Sequence, residues 1–144
     1  MREKLTVGLA GGIIIVMLPC LLTLFINGRH QQVTVDMINS GRDVLIYVDG
    51  KNVLMDVEEY ILGVLPGVVD YGATENYIEA QVVAVRTKIY YSMGEDTVVN
   101  ADNLAYEYYN TEKYMNKYGM ENYQDIRNGF ETAIINTVGE VIAN

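Results

Sequence analysis

Between Asp56 and Tyr91 the chain carries two helix signals separated by a tight loop, and whatever fold forms must pack them together. Asp56 is a good helix N-cap, and Glu59 three residues later completes the pattern of a capping box. Tyr60, Ile61, Val64 and Leu65 follow at helical spacing on one apolar face. Pro66-Gly67 is expected to end that helix. Thr74 can cap a second helix, with Glu75 in its first turn, where the macrodipole favours negative charge. Ile78, Val82, Val85 and Ile89 recur along one stripe, with Val83 and Tyr90 beside it. Gln81 and Arg86 are the polar residues of that run.

The two blocks, EEYILGVLPG and EAQVVAVRTKIY, resemble the SpoIID/LytB family, the stage II sporulation protein D and amidase-enhancer domain. Its members read E-E-Y-L-x-G-V-V-x-x-E-M-P and, after a short loop, K-A-Q-A-V-A-A-R-T-Y-A. Glu58, Glu59, Tyr60, Gly63 and Val64 match the first block; Ala80, Gln81, Val83, Ala84, Arg86 and Thr87 match the second. The resemblance implies a peptidoglycan-directed function, in active members a lytic transglycosylase using the glutamate of the E-M-P triplet as general acid/base. Here Val68 stands at that glutamate, Val69 at the methionine and Asp70 at the proline. A valine cannot move a proton, and cleavage of a glycosidic bond needs a carboxyl group within reach of the leaving oxygen. Asp70 is the one substitute acid nearby; the alternative is a solvated loop aspartate. The resemblance further implies a glycan site framed by Gln81, Arg86 and Tyr71. For Gln81 and Arg86 the alternative is hydrogen bonding within the module, to the 66–74 loop.

Ahead of this region Leu5 to Ile26 runs for 22 residues without a charge. A membrane-spanning helix needs about 20 apolar residues. Arg2 and Lys4 before it argue for a cytoplasmic N-terminus and an extracytoplasmic domain. An uncleaved single-pass anchor in the cell membrane is the expectation; a cleaved signal peptide is the alternative, although the run is long and no A-x-A-like site follows. Cys20 is the only cysteine and falls inside the apolar run, so no internal disulfide can form.

Residues 29–42 read as a juxtamembrane linker and first strand, with Val33, Val35 and Met37 alternating onto one face. DVLIYVDGKNVLMD is a hairpin signal: Val44, Ile46 and Val48 lead into Asp49-Gly50, and Val53 and Met55 return. Thr97 to Val99 suits a brief strand. Thr111 is placed to cap a short helix through Tyr118, and a longer helix is expected from Tyr123 or Gln124 to Asn136, with Ile126, Phe130, Ala133 and Ile134 on one face. EVIA after Gly139 reads as the start of a strand. The fold class is therefore α+β: a membrane helix within residues 1–28, then a small domain, 43–144, of a β-hairpin ribbon and three to four helices. Set against the family, this is the first part of the domain, covering Val44 to Ala143 of it, which implies either a fragment or a short form.

Charge narrows the partners. The net charge is −9, and from Arg29 onward eight Lys/Arg face eighteen Asp/Glu. Nucleic acid is excluded as a partner, since phosphate binding needs basic patches. His30 is the lone histidine, and no Cys/His set for zinc can be assembled, so no metal or cofactor is expected. The tyrosines at Tyr106, Tyr108 and Tyr109 can stack on sugar rings or pack half-buried with hydroxyls outward. The expected partners are peptidoglycan glycan strands, a wall amidase or other membrane-anchored sporulation proteins, and the bilayer through residues 5–26. On this reading the chain is a membrane-anchored wall-binding or hydrolase-modulating module without catalysis of its own; the alternative is a lytic transglycosylase with Asp70 as displaced acid.

Overall fold

The computed structural model describes residues 33–143. The expected membrane anchor lies outside them; among the described residues no helix is long and apolar enough to cross a membrane. The described part is an α+β domain. Strands β1 (Asp43–Val48) and β2 (Lys51–Asp56) form an antiparallel hairpin, and β3 (Val98–Asn100) lies parallel to β1 on its other side. The sheet order is β2-β1-β3. The helices are α1 (Val57–Val68), α2 (Glu75–Met93), α3 (Thr111–Tyr118) and α4 (Tyr123–Asn136).

The hairpin forms as its sequence demands. Asp49 and Gly50 both take positive φ, 51° and 79°, the backbone of a tight turn whose twist suits two antiparallel strands. The register pairs Val44 with Met55 and Ile46 with Val53, which sets the apolar side chains of both strands on one face. That face rests on α1.

α1 is buried on nearly all sides, with Val57, Tyr60, Ile61, Leu62, Val64 and Leu65 in the core. A helix apolar all round belongs at the centre of a fold, and α2 and α4 both pack against α1 and against each other. Asp56 caps α1 as expected: its Oδ1 accepts from the Glu58 N–H at 2.8 Å, and its Oδ2 accepts from the Ser40 N–H at 2.7 Å. Glu59 stays exposed and does not close the reciprocal half of a box.

Four further sequence expectations change. Val33–Met37 is not a strand: Val35–Met37 makes one 3-10 turn, and only Val35 enters the core while Val33 and Met37 are exposed. β1 is already paired on both edges, so an added strand could not join it. Pro66 does not end its helix but sits inside it, and α1 continues to Val68. The cap of α3 is Asn110, whose side chain accepts from the Lys113 N–H at 3.0 Å; Thr111 is the first helical residue. The stretch after Gly139 forms no strand through Ala143. Its backbone is tied to α2 instead: the Arg86 Nη1 donates to the Glu140 carbonyl at 3.1 Å, and the Ile142 N–H donates to the Thr87 hydroxyl at 2.9 Å.

Candidate functional site

The loop joining α1 to α2 forms one wall of a cleft of about 350 Å³. α1 closes with the Val69 N–H donating to the Leu65 carbonyl at 2.9 Å. The chain then turns through Gly72, whose φ of 82° suits glycine, and enters α2 behind Thr74. Val69, Asp70, Tyr71, Gly72 and Ala73 face the cleft from this side. The opposite wall comes from the end of α3 and the first turns of α4: Tyr118, Asp125, Ile126, Gly129 and Phe130.

The cleft combines ring faces with charge. Tyr71 is 74% exposed and leans over Tyr118, with ring centroids 6.4 Å apart and planes tilted by 34°. The Tyr118 hydroxyl is buried and has no hydrogen-bond partner. Its phenol is pushed up to about 12 by burial and then by Tyr109 and the Asp70 carboxylate. Asp125 lies in the first turn of α4, where the helix dipole favours its charge. Gly129 sits within α4, where a glycine weakens the helix by about 0.5–1 kcal/mol relative to alanine. A Cβ built there meets nothing within 4 Å, so this exposed cleft residue has open space beside it.

Of the residues singled out in the sequence, Asp70 and Tyr71 line this cleft. Val68 is the last residue of α1; it is half-buried against the core and does not line the cleft. Gln81, half-buried on α2, does not line it either. Arg86 is fully buried and belongs to a different construction. Its Nε and Nη2 donate to the two Glu58 carboxylate oxygens at 2.8 and 2.7 Å, a bidentate ion pair between α1 and α2. Its Nη1 donates to the Thr137 carbonyl at 2.8 Å, at the C-cap of α4. Glu58 thus sits at the positive end of α1 and the Arg86 guanidinium at the negative end of α4, each favoured by the helix it faces. The interior partners of Arg86 are Glu58 and the turn after α4, not the 66–74 loop, and Glu58 is more than a first-turn residue.

Sequence reasoning missed Asp125, Tyr118, Ile126 and Phe130 as cleft residues. They lie far along the chain from Asp70, and only the packing of α3 and α4 beside α1 brings them there. Among the described residues no cluster of three or more His, Cys, Asp or Glu side chains is placed to hold a metal ion.

A central capped helix followed by a loop cleft and a long second helix is the arrangement the two sequence blocks encode. The chain matches the SpoIID stage II sporulation protein family over residues 50–143, and it belongs to that family. No curated protein matches the sequence.

Proposed function

We propose that this chain is a membrane-anchored, extracytoplasmic module that binds peptidoglycan glycan strands in the 69–73 cleft, without catalysing their cleavage, and so modulates a wall hydrolase during sporulation. Membership of the sporulation family supports the setting. The observation that carries the reading is the cleft itself: Tyr71 supplies an exposed ring face for sugars above the buried Tyr118 and Phe130, and Asp70 and Asp125 supply acceptors for sugar hydroxyl and amide N–H groups. It lies at the loop where relatives carry their acid, and Val68 offers hydrocarbon in its place. The uncharged run of residues 5–26 supports anchoring, with an amidase or another membrane-anchored sporulation protein as the partner in the membrane plane.

The test uses Gly129. A leucine there fills open space in the cleft and removes a helix-weakening glycine, so Gly129→Leu is expected to melt no lower than the parent chain while losing retention on peptide-stripped glycan strands. Retention unchanged in this variant would sink the binding reading. A second reading, a lytic transglycosylase with Asp70 as acid, is favoured by Asp70 and Asp125 sharing one cleft. It requires release of anhydro-sugar products by the parent chain and their loss in Asp70→Asn; absence of such products in a long digestion rejects it.

A further inference from the structure

A second cavity, of about 430 Å³, opens beside the Asp49-Gly50 turn, and no residue of the 69–73 loop lines it. Its walls are the end of β1, the ring of Tyr60 from α1 and the segment from Ala101 to Lys113. Tyr60 is fully buried, yet its hydroxyl has no hydrogen-bond partner. Such a group is expensive to leave unpaired in a folded interior. Its phenol is pushed up to about 12 by burial, then by Tyr106, Tyr108 and Asp102. Tyr60 and those three residues line the same cavity.

The charge left over in the cavity is negative. Lys113 is already spent, its Nζ 3.0 Å from the Glu107 Oε1 outside the cavity lining. Asp49 gives one oxygen to the Asn110 amide at 3.2 Å and keeps the other. The Asp102 carboxylate has no hydrogen-bond or ion-pair partner among the described residues. The tyrosine rings are of the kind that hold cations: Lys88 already places its Nζ 4.6 Å from the Tyr106 ring centroid. At the rim Ala105 is held at φ 55°, a left-handed conformation that an alanine adopts only when its surroundings impose it.

We propose that this cavity binds a primary alkylammonium group, such as ends a lysine or other diamino-acid side chain. Asp49 and Asp102 neutralise the charge, the Tyr60 hydroxyl accepts one of the ammonium hydrogen bonds, and Tyr106 and Tyr108 flank the alkyl chain. The −9 net charge draws such ligands toward the domain. This site stands independently of glycan binding in the first cleft.

The test is a titration of the full chain, carrying isotope-labelled tyrosine, with N-acetyl-lysine amide. N-acetyl-norleucine amide, which lacks the charge, and N-acetylglucosamine serve as comparison ligands. The lysine derivative is expected to shift the Tyr60 and Tyr106 resonances saturably and the other two to leave them in place. Asp102→Asn should weaken binding about tenfold, the scale of one charge-assisted hydrogen bond. Tyr60→Phe should weaken it while melting no lower than the parent, because the variant removes an unpaired buried hydroxyl. An equal response to the norleucine derivative or to the sugar, no saturable shift with the lysine derivative, or parent-like affinity in both variants would overturn the proposal.

Discussion

Gly63 shows how a single position is fixed from a distance. A Cβ at this residue would collide with the Cε2 of Tyr108, and the Gly63 carbonyl accepts the Tyr109 N–H at 2.7 Å. The missing side chain is the seat of the Tyr108 ring, which stacks on Tyr60 with centroids 5.9 Å apart. Gly63→Ala must push that ring off its neighbour. The expected cost is about 1–3 kcal/mol, the range for overpacking a well-filled site, read as a lower denaturation midpoint in urea. In a Tyr108→Ala background the same change should cost far less, since the clash is gone. The glycine was visible in the sequence as part of a family block, but its reason was not, because Tyr108 comes from a segment whose packing the sequence leaves open. Glu58 teaches the same lesson. Its place two residues after Asp56 is sufficient to put it in a first helical turn. Which helix its carboxylate meets depends on how α1 crosses α2, and periodicity is silent on that.

Pro66 governs the layout of a whole element. A proline within a helix has no N–H to give the carbonyl four residues back, here Leu62. That carbonyl is taken by the buried Tyr114 hydroxyl at 2.6 Å, so α3 is stitched onto α1 at the point where α1 lacks its own bond. Tyr114→Phe is expected to cost about 1–3 kcal/mol, the penalty of an unsatisfied buried acceptor. With Pro66→Ala also present, the restored N–H serves Leu62, and Tyr114→Phe should cost measurably less; equal costs in both backgrounds would refute the stitch. The Glu58–Arg86 pair does a parallel job for α1, α2 and α4. Removing either partner alone strands a buried charge and should cost about 3–5 kcal/mol, whereas Glu58→Leu with Arg86→Met should recover much of that loss. Both cycles are read from chemical denaturation. Most elements could be seen in the sequence, because the hairpin turn and the helical stripes are local signals. The exceptions have physical causes: the proline is tolerated because another helix supplies the donor, and the stretch after Gly139 gives its backbone groups to Arg86 and Thr87 instead of to a sheet. Half of the cleft was legible for the same reason: Asp70 and Tyr71 sit on the loop between two readable helices, while Asp125 and Phe130 arrive only through packing.

The molecule as a whole relies on tyrosine, with twelve of them against two phenylalanines and no tryptophan. Tyr60, Tyr114 and Tyr118 are buried in the core, and this gives the domain an alkaline limit. Burial is the leading cause that pushes all three phenols up from their ordinary value of 10.0, Tyr60 and Tyr118 to about 12 and Tyr114 further. A raised folded-state value means the folded chain holds protons that the unfolded chain releases. The stability these groups contribute is therefore complete below about pH 10 and is lost as pH rises toward and through about 12. Each phenol that must stay protonated lowers stability by at most about 1.4 kcal/mol per pH unit within that window. Three of them act against a total of about 5–15 kcal/mol for a domain of ordinary stability, and the growing negative charge adds repulsion. The domain should accordingly unfold in one cooperative step above pH 10, with helix loss by circular dichroism coinciding with the late rise of phenolate absorbance. Replacing both unpaired hydroxyls, Tyr60→Phe with Tyr118→Phe, should move that step to higher pH, since neither change removes a hydrogen bond. Retention of the full helical signal through pH 12 alongside complete tyrosine ionisation would show that these rings are reached by solvent without unfolding, and that the core is not built on them.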